Sequence, residues 1–202
     1  ITGNFGCLQL SGRYSDNMVR QDGEVLTIQG KADAGQKVTV AIAGQKKKTV
    51  TASNGRWRVS LDPLKAGGPY TLTVTADKQK VVYNNVLAGE VWLCSGQSNM
   101  EFYLNWSATG KRDIPQAAND QIRLFDMKAR WRTDAVEWDA SVLDSLNHLQ
   151  YFTDASWKVC APETADRFSA IAYYFGKKLQ DSLQAPVGLI CNAIGGSPAE
   201  AW

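Results

Sequence analysis

Residues 91–100 (VWLCSGQSNM) contain the side chain best placed for covalent chemistry. A short apolar run ends at Gly96, and Ser98 follows it within a polar tetrapeptide. A buried strand that ends in this way presents a serine at the edge of a sheet, where the ligands of α/β proteins gather. The hydroxyl of such a serine can attack a carbonyl carbon and form an acyl-enzyme. Ser98 is therefore the candidate nucleophile, with Gln97 and Asn99 beside it as candidates for the wall of a substrate site.

A second motif of this kind is the pair Gly195 and Gly196, which follows the apolar run of residues 186–191. Acyl transfer needs backbone N–H donors close to the attacked carbonyl oxygen. Glycine lets the backbone approach a ligand closely because it has no Cβ. One strand would then supply the nucleophile and its neighbour an oxyanion donor. Either motif alone is more typical of an ordinary turn, so the prediction depends on both motifs occurring together at the ends of apolar strands.

Residues 1–88 have the period-2 alternation of half-buried strands. Residues 38–42, 57–61 and 70–75 alternate between apolar and polar side chains, and turn residues separate them. Asn54-Gly55 is a strong hairpin signal. Short strands at this spacing predict an all-β domain of the β-sandwich type. The one basic run, Lys46 to Lys48, is expected at a solvated hairpin tip.

Residues 89–202 have a different pattern. The apolar run at residues 91–94 is continuous, which is typical of a strand covered on both faces of a parallel sheet. Residues 122–127 and 186–191 are two further strand candidates. Apolar residues between 168 and 183 recur at helical spacing, with Thr164 as a possible cap. Strand, helix and strand in this order predict a right-handed βαβ unit and an α/β domain.

Composition narrows the function classes further. The chain has 202 residues and a net charge of +2, so nothing indicates a nucleic-acid partner. No stretch approaches the roughly 20 apolar residues of a membrane span. The four cysteines have no metal-binding spacing, and their disulfide state stays open; they are Cys7, Cys94, Cys160 and Cys191.

The long connection at residues 128–162 carries Trp131, Trp138 and Trp157. Aromatic faces stack on sugar rings, so these side chains are candidates for a sugar site. Tryptophans in a long loop also anchor it to the body of the domain, which is the interpretation we favour.

Residues 89–101 (GEVWLCSGQSNME) resemble the nucleophile block of the sialate O-acetylesterases, a branch of the SGNH hydrolases. Shorter segments resemble the same family, so that the resemblance covers nearly the whole chain. These segments are residues 15–19 (SDNMV), 66–70 (AGGPY), 168–170 (FSA), 173–175 (YYF), 188–190 (GLI) and 195–202 (GGSPAEAW).

The resemblance implies a β-sandwich domain at residues 1–88, followed at residues 89–202 by an SGNH-type, flavodoxin-like α/β hydrolase domain. It implies removal of O-acetyl groups from sugars, typically the 9-O-acetyl group of sialic acid, without a metal or cofactor. Ser98 matches the nucleophile, and the N–H groups of Ser98, Gly195 and Gly196 match the oxyanion donors. Glu200 and Trp202 would shape the wall of the site. The resemblance also suggests a bacterial protein that is secreted or periplasmic.

The family's catalytic histidine belongs to an Asp-x-x-His motif downstream of the glycine pair, and an oxyanion asparagine also lies downstream. Neither motif is present in this sequence. His148 has one residue too many after Asp144 and precedes the glycine pair, so we interpret it as a surface or loop histidine. We therefore expect an incomplete hydrolase domain that needs a further C-terminal part. Residues 1–202 alone should hydrolyse esters only slowly.

Two other functions are compatible with these motifs. The nucleophile block handles the acetyl group and not the sugar, so an acetylxylan-type esterase fits as well. The β-rich half and the loop tryptophans also fit a non-catalytic glycan-binding or accessory module.

Overall fold

The computed structural model describes residues 7–131, 138–148 and 150–198 of the chain. These residues form eleven β-strands and five α-helices, so the predicted mixed α/β class is confirmed. The chain divides into two compact units, residues 1–90 and 91–202. Strand β8 runs through the boundary, and its residues before and after Glu90 belong to different units.

The first unit is built from strands that alternate between buried and exposed side chains. One sheet has the order β1-β3-β6, and a second has the order β5-β4-β7-β8 with β2 paired in parallel to β8. In β6, for example, Trp57, Val59 and Leu61 are buried while the residues between them are exposed. Each sheet therefore has a buried face, as the period-2 pattern predicts. The strands are β1 (Gln9–Leu10), β2 (Val19–Gln21), β3 (Leu26–Lys31), β4 (Lys37–Ile42), β5 (Gln45–Val50), β6 (Arg56–Leu61), β7 (Gly67–Ala76) and β8 (Gln79–Gly96).

Two turn predictions in this unit are wrong. The lysines Lys46 to Lys48 are exposed, but they lie within β5, and the β4–β5 turn is at Ala43 and Gly44. Strand β5 is the last in its sheet order, where lysines discourage pairing with another strand. The turn at Asn54-Gly55 joins β5 to β6, which belong to different sheets, so it is not a hairpin.

The second unit contains a sheet in the order β10-β9-β11-β8. Strand β11 runs parallel to β9, with Val187 opposite Ile122, and β10 runs antiparallel to β9. The further strands are β9 (Asn119–Met127), β10 (Lys158–Cys160) and β11 (Val187–Ala193), and the helices are α1 (Ser98–Glu101), α2 (Gly110–Asp113), α3 (Ala140–Asn147), α4 (Pro162–Ala165) and α5 (Ala170–Leu183). Two 3-10 turns lie at Leu104–Trp106 and Ile114–Gln116. None of the helices in the described part of the chain has the length and apolar content of a membrane span.

Helix α5 connects β10 to β11 and begins later than its apolar pattern suggests. Its N-cap is Ser169, whose hydroxyl accepts a hydrogen bond from Ala172 N–H at 3.2 Å. Thr164 does not cap this helix, because it lies in the separate helix α4, where its hydroxyl accepts a hydrogen bond from Ala161 N–H. Ser169 is therefore the N-cap of α5, whereas the N-cap of α4 is Ala161, whose methyl group cannot accept a hydrogen bond, and Thr164 lies three residues after it.

Fewer of the apolar side chains of α5 are buried than the helical spacing predicts. Ala172, Tyr173 and Gly176 are buried, whereas Phe175 stays partly exposed and packs edge-on against Trp92. Gly176 is the point of closest approach to β11. A Cβ at this position would lie 2.4 Å from Leu189 Cδ1, and Leu189 is completely buried.

The three cysteines of the second unit are buried free thiols. Burial raises the pKa of Cys94 and of Cys160 to about 11 and that of Cys191 to about 12. They behave as small apolar side chains at neutral pH, since a thiol with such a pKa is protonated. Cys7, in the first unit, is an exposed free thiol.

The substitution Gly176→Ala should lower the free energy of unfolding. Alanine gains roughly 1 kcal/mol of helix propensity over glycine, but overpacking a core costs about 1–3 kcal/mol. Leu189 has no solvent to move into, so we expect the overpacking to dominate. Urea unfolding gives the midpoints, with Gly12→Ala as control because nothing lies within 4 Å of a Cβ there. A midpoint for Gly176→Ala at or above that of the wild type would contradict this packing.

Candidate active site

Ser98 is the first residue of the short helix α1 and follows β8 after one residue of connection. Gly96 makes the change of direction possible, because its φ of +152° is rarely adopted by other residues. A Cβ on Gly96 would also lie 3.2 Å from Met100 Cβ, within the new helix. The side chain of Ser98 is exposed, as a nucleophile requires.

The hydroxyl and the backbone N–H of Ser98 both donate hydrogen bonds to the side chain of Gln97. Its side-chain Oε1 accepts a hydrogen bond from Ser98 Oγ at 2.7 Å and a longer one from Ser98 N–H at 3.3 Å. Gln97 and Asn99 are exposed neighbours of Ser98, but neither is among the residues that line the adjoining cavity. Gln97 therefore contacts Ser98 and is not part of the cavity wall.

The glycine turn, residues 194–197, follows β11 directly. Ile194 N–H donates to Gly96 O at 3.0 Å, so the turn lies beside the end of β8. Gly195 N–H donates to Glu101 Oε2 at 2.6 Å. The Gly195 N–H therefore already has an acceptor in the protein, and its predicted role as an oxyanion donor does not fit this arrangement. Gly196 N–H has no hydrogen-bond acceptor among the described residues and remains the donor of the turn.

A cavity of about 820 Å³ opens over both motifs. Ser98, Gly195 and Gly196 all line it, so the structure brings together the candidate nucleophile and the glycine pair that the sequence predicts. The other lining residues are Glu101, Phe102, Tyr103, Trp106, Lys128, Ala129, Arg130, Trp131 and Ile194.

Aromatic rings form one part of the cavity wall. The rings of Tyr103 and Trp106 lie 4.4 Å apart between centroids, and Phe102 meets Trp106 edge-on at 5.7 Å. Trp106 is 59% exposed, which leaves a large apolar face open to a ligand. Trp131, predicted either to line a sugar site or to anchor its loop, also lines the cavity. Exposed aromatic faces of this kind can stack on the apolar faces of sugar rings.

Two cationic residues form another part of the wall. Lys128 Nζ lies 2.8 Å from Asp126 Oδ2 and 4.5 Å from the centre of the Tyr103 ring. Burial lowers the pKa of Lys128, but the hydrogen bond and charge of Asp126 outweigh it, so this pKa is raised overall. Burial raises the pKa of Asp126, and Lys128 offsets that rise only in part. Arg130 is exposed, and its Nε donates to Phe152 O at 2.9 Å.

Other residues selected from the sequence lie elsewhere. His148 caps the end of α3, where it contacts Asp144 and is exposed, and it is not among the cavity-lining residues. Trp157 is buried against Phe125, which is the anchoring role we favoured. Glu200 and Trp202 lie outside the described residues. Within the described ranges, no group of three or more acidic, histidine or cysteine side chains is arranged to hold a metal ion.

The cavity wall also includes residues that are not predicted from the sequence, among them Glu101, Tyr103, Trp106, Lys128 and Arg130. Two features of the sequence could have identified three of them. Glu101 is three residues after Ser98 and so lies on the same helical turn. Lys128 and Arg130 directly follow β9, at the carboxyl end of a strand where ligands gather.

A serine at the end of one strand, beside a glycine turn at the end of the neighbouring strand, is typical of a serine hydrolase on an α/β sheet. The family model described as carbohydrate esterase, sialic acid-specific acetylesterase matches residues 88–202. The chain belongs to this family of carbohydrate esterases, which confirms the resemblance found in its motifs.

Similar proteins agree with this assignment. The chain is 30% identical over 207 residues to the sialate O-acetylesterase of Homo sapiens, covering 93% of this chain and 37% of that protein. It is 33% identical over 210 residues to the sialate O-acetylesterase of Rattus norvegicus, covering 94% and 36%. It is also similar to the crystal structure of a carbohydrate acetylesterase from Xanthomonas citri, with a TM-score of 0.84, 30% identity, and coverage of 96% of this chain and 42% of that one. The chain thus spans a little over a third of the length of these curated relatives.

Proposed function

We propose that the protein containing this chain removes O-acetyl groups from sugars, with the 9-O-acetyl group of sialic acid as substrate, through an acyl-enzyme on Ser98. The observation that carries the proposal is that Ser98 and Gly196 line one cavity, at the ends of neighbouring strands. In the first step Ser98 Oγ attacks the acetyl carbonyl carbon and gives up its proton to a base. The sugar oxygen then leaves with a proton, and water releases acetate from acetyl-Ser98 in the second step.

The oxyanion that forms in each step needs two or more N–H donors. Ser98 N–H and Gly196 N–H are the groups that fit this role. The bond from Ser98 N–H to Gln97 Oε1 is long at 3.3 Å, so an incoming carbonyl oxygen can replace Gln97 as the acceptor.

The general base lies, in this proposal, in a C-terminal part of the hydrolase domain that residues 1–202 do not contain. The position of His148 supports a base outside residues 1–202, because the histidine side chain contacts Asp144 and not Ser98. The domain interpretation is part of the same proposal: a β-sandwich at residues 1–88, and at residues 89–202 the beginning of an SGNH-type, flavodoxin-like hydrolase domain. We propose also that the protein is bacterial, and that it is secreted or periplasmic, where acetylated glycans are found.

The charge of the cavity supports an acidic sugar over the neutral sugars of acetylxylan. Lys128 and Arg130 both line the cavity, and the single lysine charge is balanced by Asp126. Arg130 has no such carboxylate at salt-bridge distance in the described part of the chain. Its guanidinium can therefore bind the carboxylate of sialic acid, for which its planar pair of N–H donors is well suited.

Replacement of the nucleophile tests the mechanism. Ser98→Ala in the full-length protein should lower kcat for acetate release from 4-nitrophenyl acetate and from 9-O-acetylated sialic acid by at least about 10³-fold. Ser182→Ala is the matched control, because this serine is exposed near the end of α5 and its hydroxyl donates to Lys178 O in the same helix. Hydrolysis by Ser98→Ala at the rate of the control would contradict the acyl-enzyme. Glycan binding without hydrolysis by the wild type would instead favour the accessory-module function.

Removal of the Arg130 charge tests the substrate class. Arg130→Gln should raise KM for 9-O-acetylated sialic acid by roughly 10-fold, since a charge-assisted hydrogen bond contributes about 1.5–3 kcal/mol. KM for acetylated xylo-oligosaccharides should change less than twofold. Lys111→Gln, which removes one charge from an exposed residue that does not line the cavity, is the control. Equal effects of Arg130→Gln on the two substrates would contradict recognition of an acidic sugar.

A further inference from the structure

We infer that Glu101 is a positioning residue that fixes the glycine turn against the helix carrying the nucleophile; the inference rests on the function proposed above. Glu101 ends the same four-residue helix that Ser98 begins. Its carboxylate accepts a hydrogen bond from Gly195 N–H at 2.6 Å, across a separation of 94 positions in the sequence. One side chain thus joins the segment that holds the nucleophile to the segment that holds the oxyanion donor.

The remaining contacts of the turn show why this bond matters. Ile194 N–H donates to Gly96 O at 3.0 Å, and Ser197 Oγ donates to Ile194 O at 2.7 Å. The first bond fixes the beginning of the turn, and the second joins its end to the carbonyl of the Ile194–Gly195 peptide group. The Glu101 bond holds the N–H of that same peptide group, directly before the peptide group that carries the Gly196 N–H. Loss of the Glu101 bond would loosen this peptide group and let the oxyanion donor shift, and small displacements of such a donor are costly to catalysis.

The glycine at position 195 has a different purpose in this arrangement from the one the sequence suggests. A Cβ at Gly195 would lie 2.5 Å from Glu101 Oε2, which is far inside van der Waals contact. The φ of Gly195 is not in the left-handed region, so the backbone there does not itself require glycine. Glycine is therefore needed at position 195 to admit the Glu101 carboxylate, whereas Gly196, with φ +81°, is needed for the shape of the turn.

The hydrogen bond predicts different effects for three substitutions: Glu101→Gln, Glu101→Ala and Gly195→Ala. Glutamine keeps a side-chain oxygen that accepts from Gly195 N–H, whereas alanine has no acceptor. Alanine at position 195 collides with the Glu101 carboxylate, but it has room once residue 101 is itself alanine. The effects of Glu101→Ala and Gly195→Ala should therefore not add.

We expect Glu101→Ala in the full-length protein to lower kcat for 4-nitrophenyl acetate about 10- to 100-fold, part of the 10²- to 10³-fold loss on removing a whole oxyanion donor. KM should change less than threefold, because the donor acts on the transition state. Glu101→Gln should restore most of this kcat. Glu163→Ala, at an exposed glutamate in the first turn of α4, is the control. Thermal unfolding of each variant shows whether it is folded.

The double substitution gives the sharpest outcome. Gly195→Ala should lower kcat at least about 10-fold in the wild type and less than threefold in the Glu101→Ala background. Losses that multiply would overturn the inference, and so would a wild-type kcat for Glu101→Ala. If Glu101→Ala does not fold, Gly195→Ala is measured alone, and a wild-type kcat for this variant overturns the inference. Failure of the proposed function is a separate result, since it appears as full activity of Ser98→Ala.

Discussion

Two segments nearly a hundred residues apart meet at the hydrogen bond between Gly195 N–H and the Glu101 carboxylate. On one side of this bond, β8 ends at Gly96 and the chain turns into the helix that begins with Ser98. On the other side, β11 ends and the glycine turn begins. Neighbouring strands bring these two ends together, but a strand end alone does not place atoms to within the fraction of an ångström that acyl transfer needs. The short, charge-assisted bond supplies the additional restraint.

In the proposed function, the cavity separates the acyl chemistry from the recognition of the sugar. The proposed reacting groups, Ser98 and the Gly196 N–H, come from the ends of β8 and β11, whose buried residues pack into the core of the second unit. The aromatic and cationic wall comes from the segment after α1 and from the segment after β9, which are less constrained by the sheet. Many α/β enzymes place their reacting groups at the ends of a rigid sheet and their substrate-binding residues on the connecting loops. It also explains why the nucleophile block alone does not specify the acetylated sugar.

Much of this arrangement follows from the sequence. Apolar runs that are followed by glycines predict approximately where β8 and β11 end, and with them the positions of Ser98 and the glycine pair. The helical spacing predicts α5. The role of Gly195 could not be predicted in the same way, because a glycine admits a ligand and a protein side chain equally well. Its partner Glu101 is distant in sequence, and no local pattern connects the two residues.

The errors have the same origin in tertiary contacts. Lys46 to Lys48 are polar and consecutive, which is typical of a turn, but pairing with β4 draws them into an edge strand. Thr164 and Ser169 are both residue types that favour the N-cap, but only Ser169 is an N-cap, because Thr164 lies within α4. In the sequence, Lys128 and Arg130 are not distinguishable from other surface cations. In the structure they line the same cavity as Ser98. Local propensity predicts these elements, whereas the contacts between them decide which residues form the site.

The most direct test of the account is the site of covalent modification by an acyl-transfer inhibitor. The full-length protein would be treated with a fluorophosphonate, digested, and mapped by mass spectrometry. The account predicts a single adduct on the peptide that contains Ser98, with loss of acetate release in proportion to labelling. An adduct on another residue, or complete labelling of Ser98 with acetate release unchanged, would contradict it.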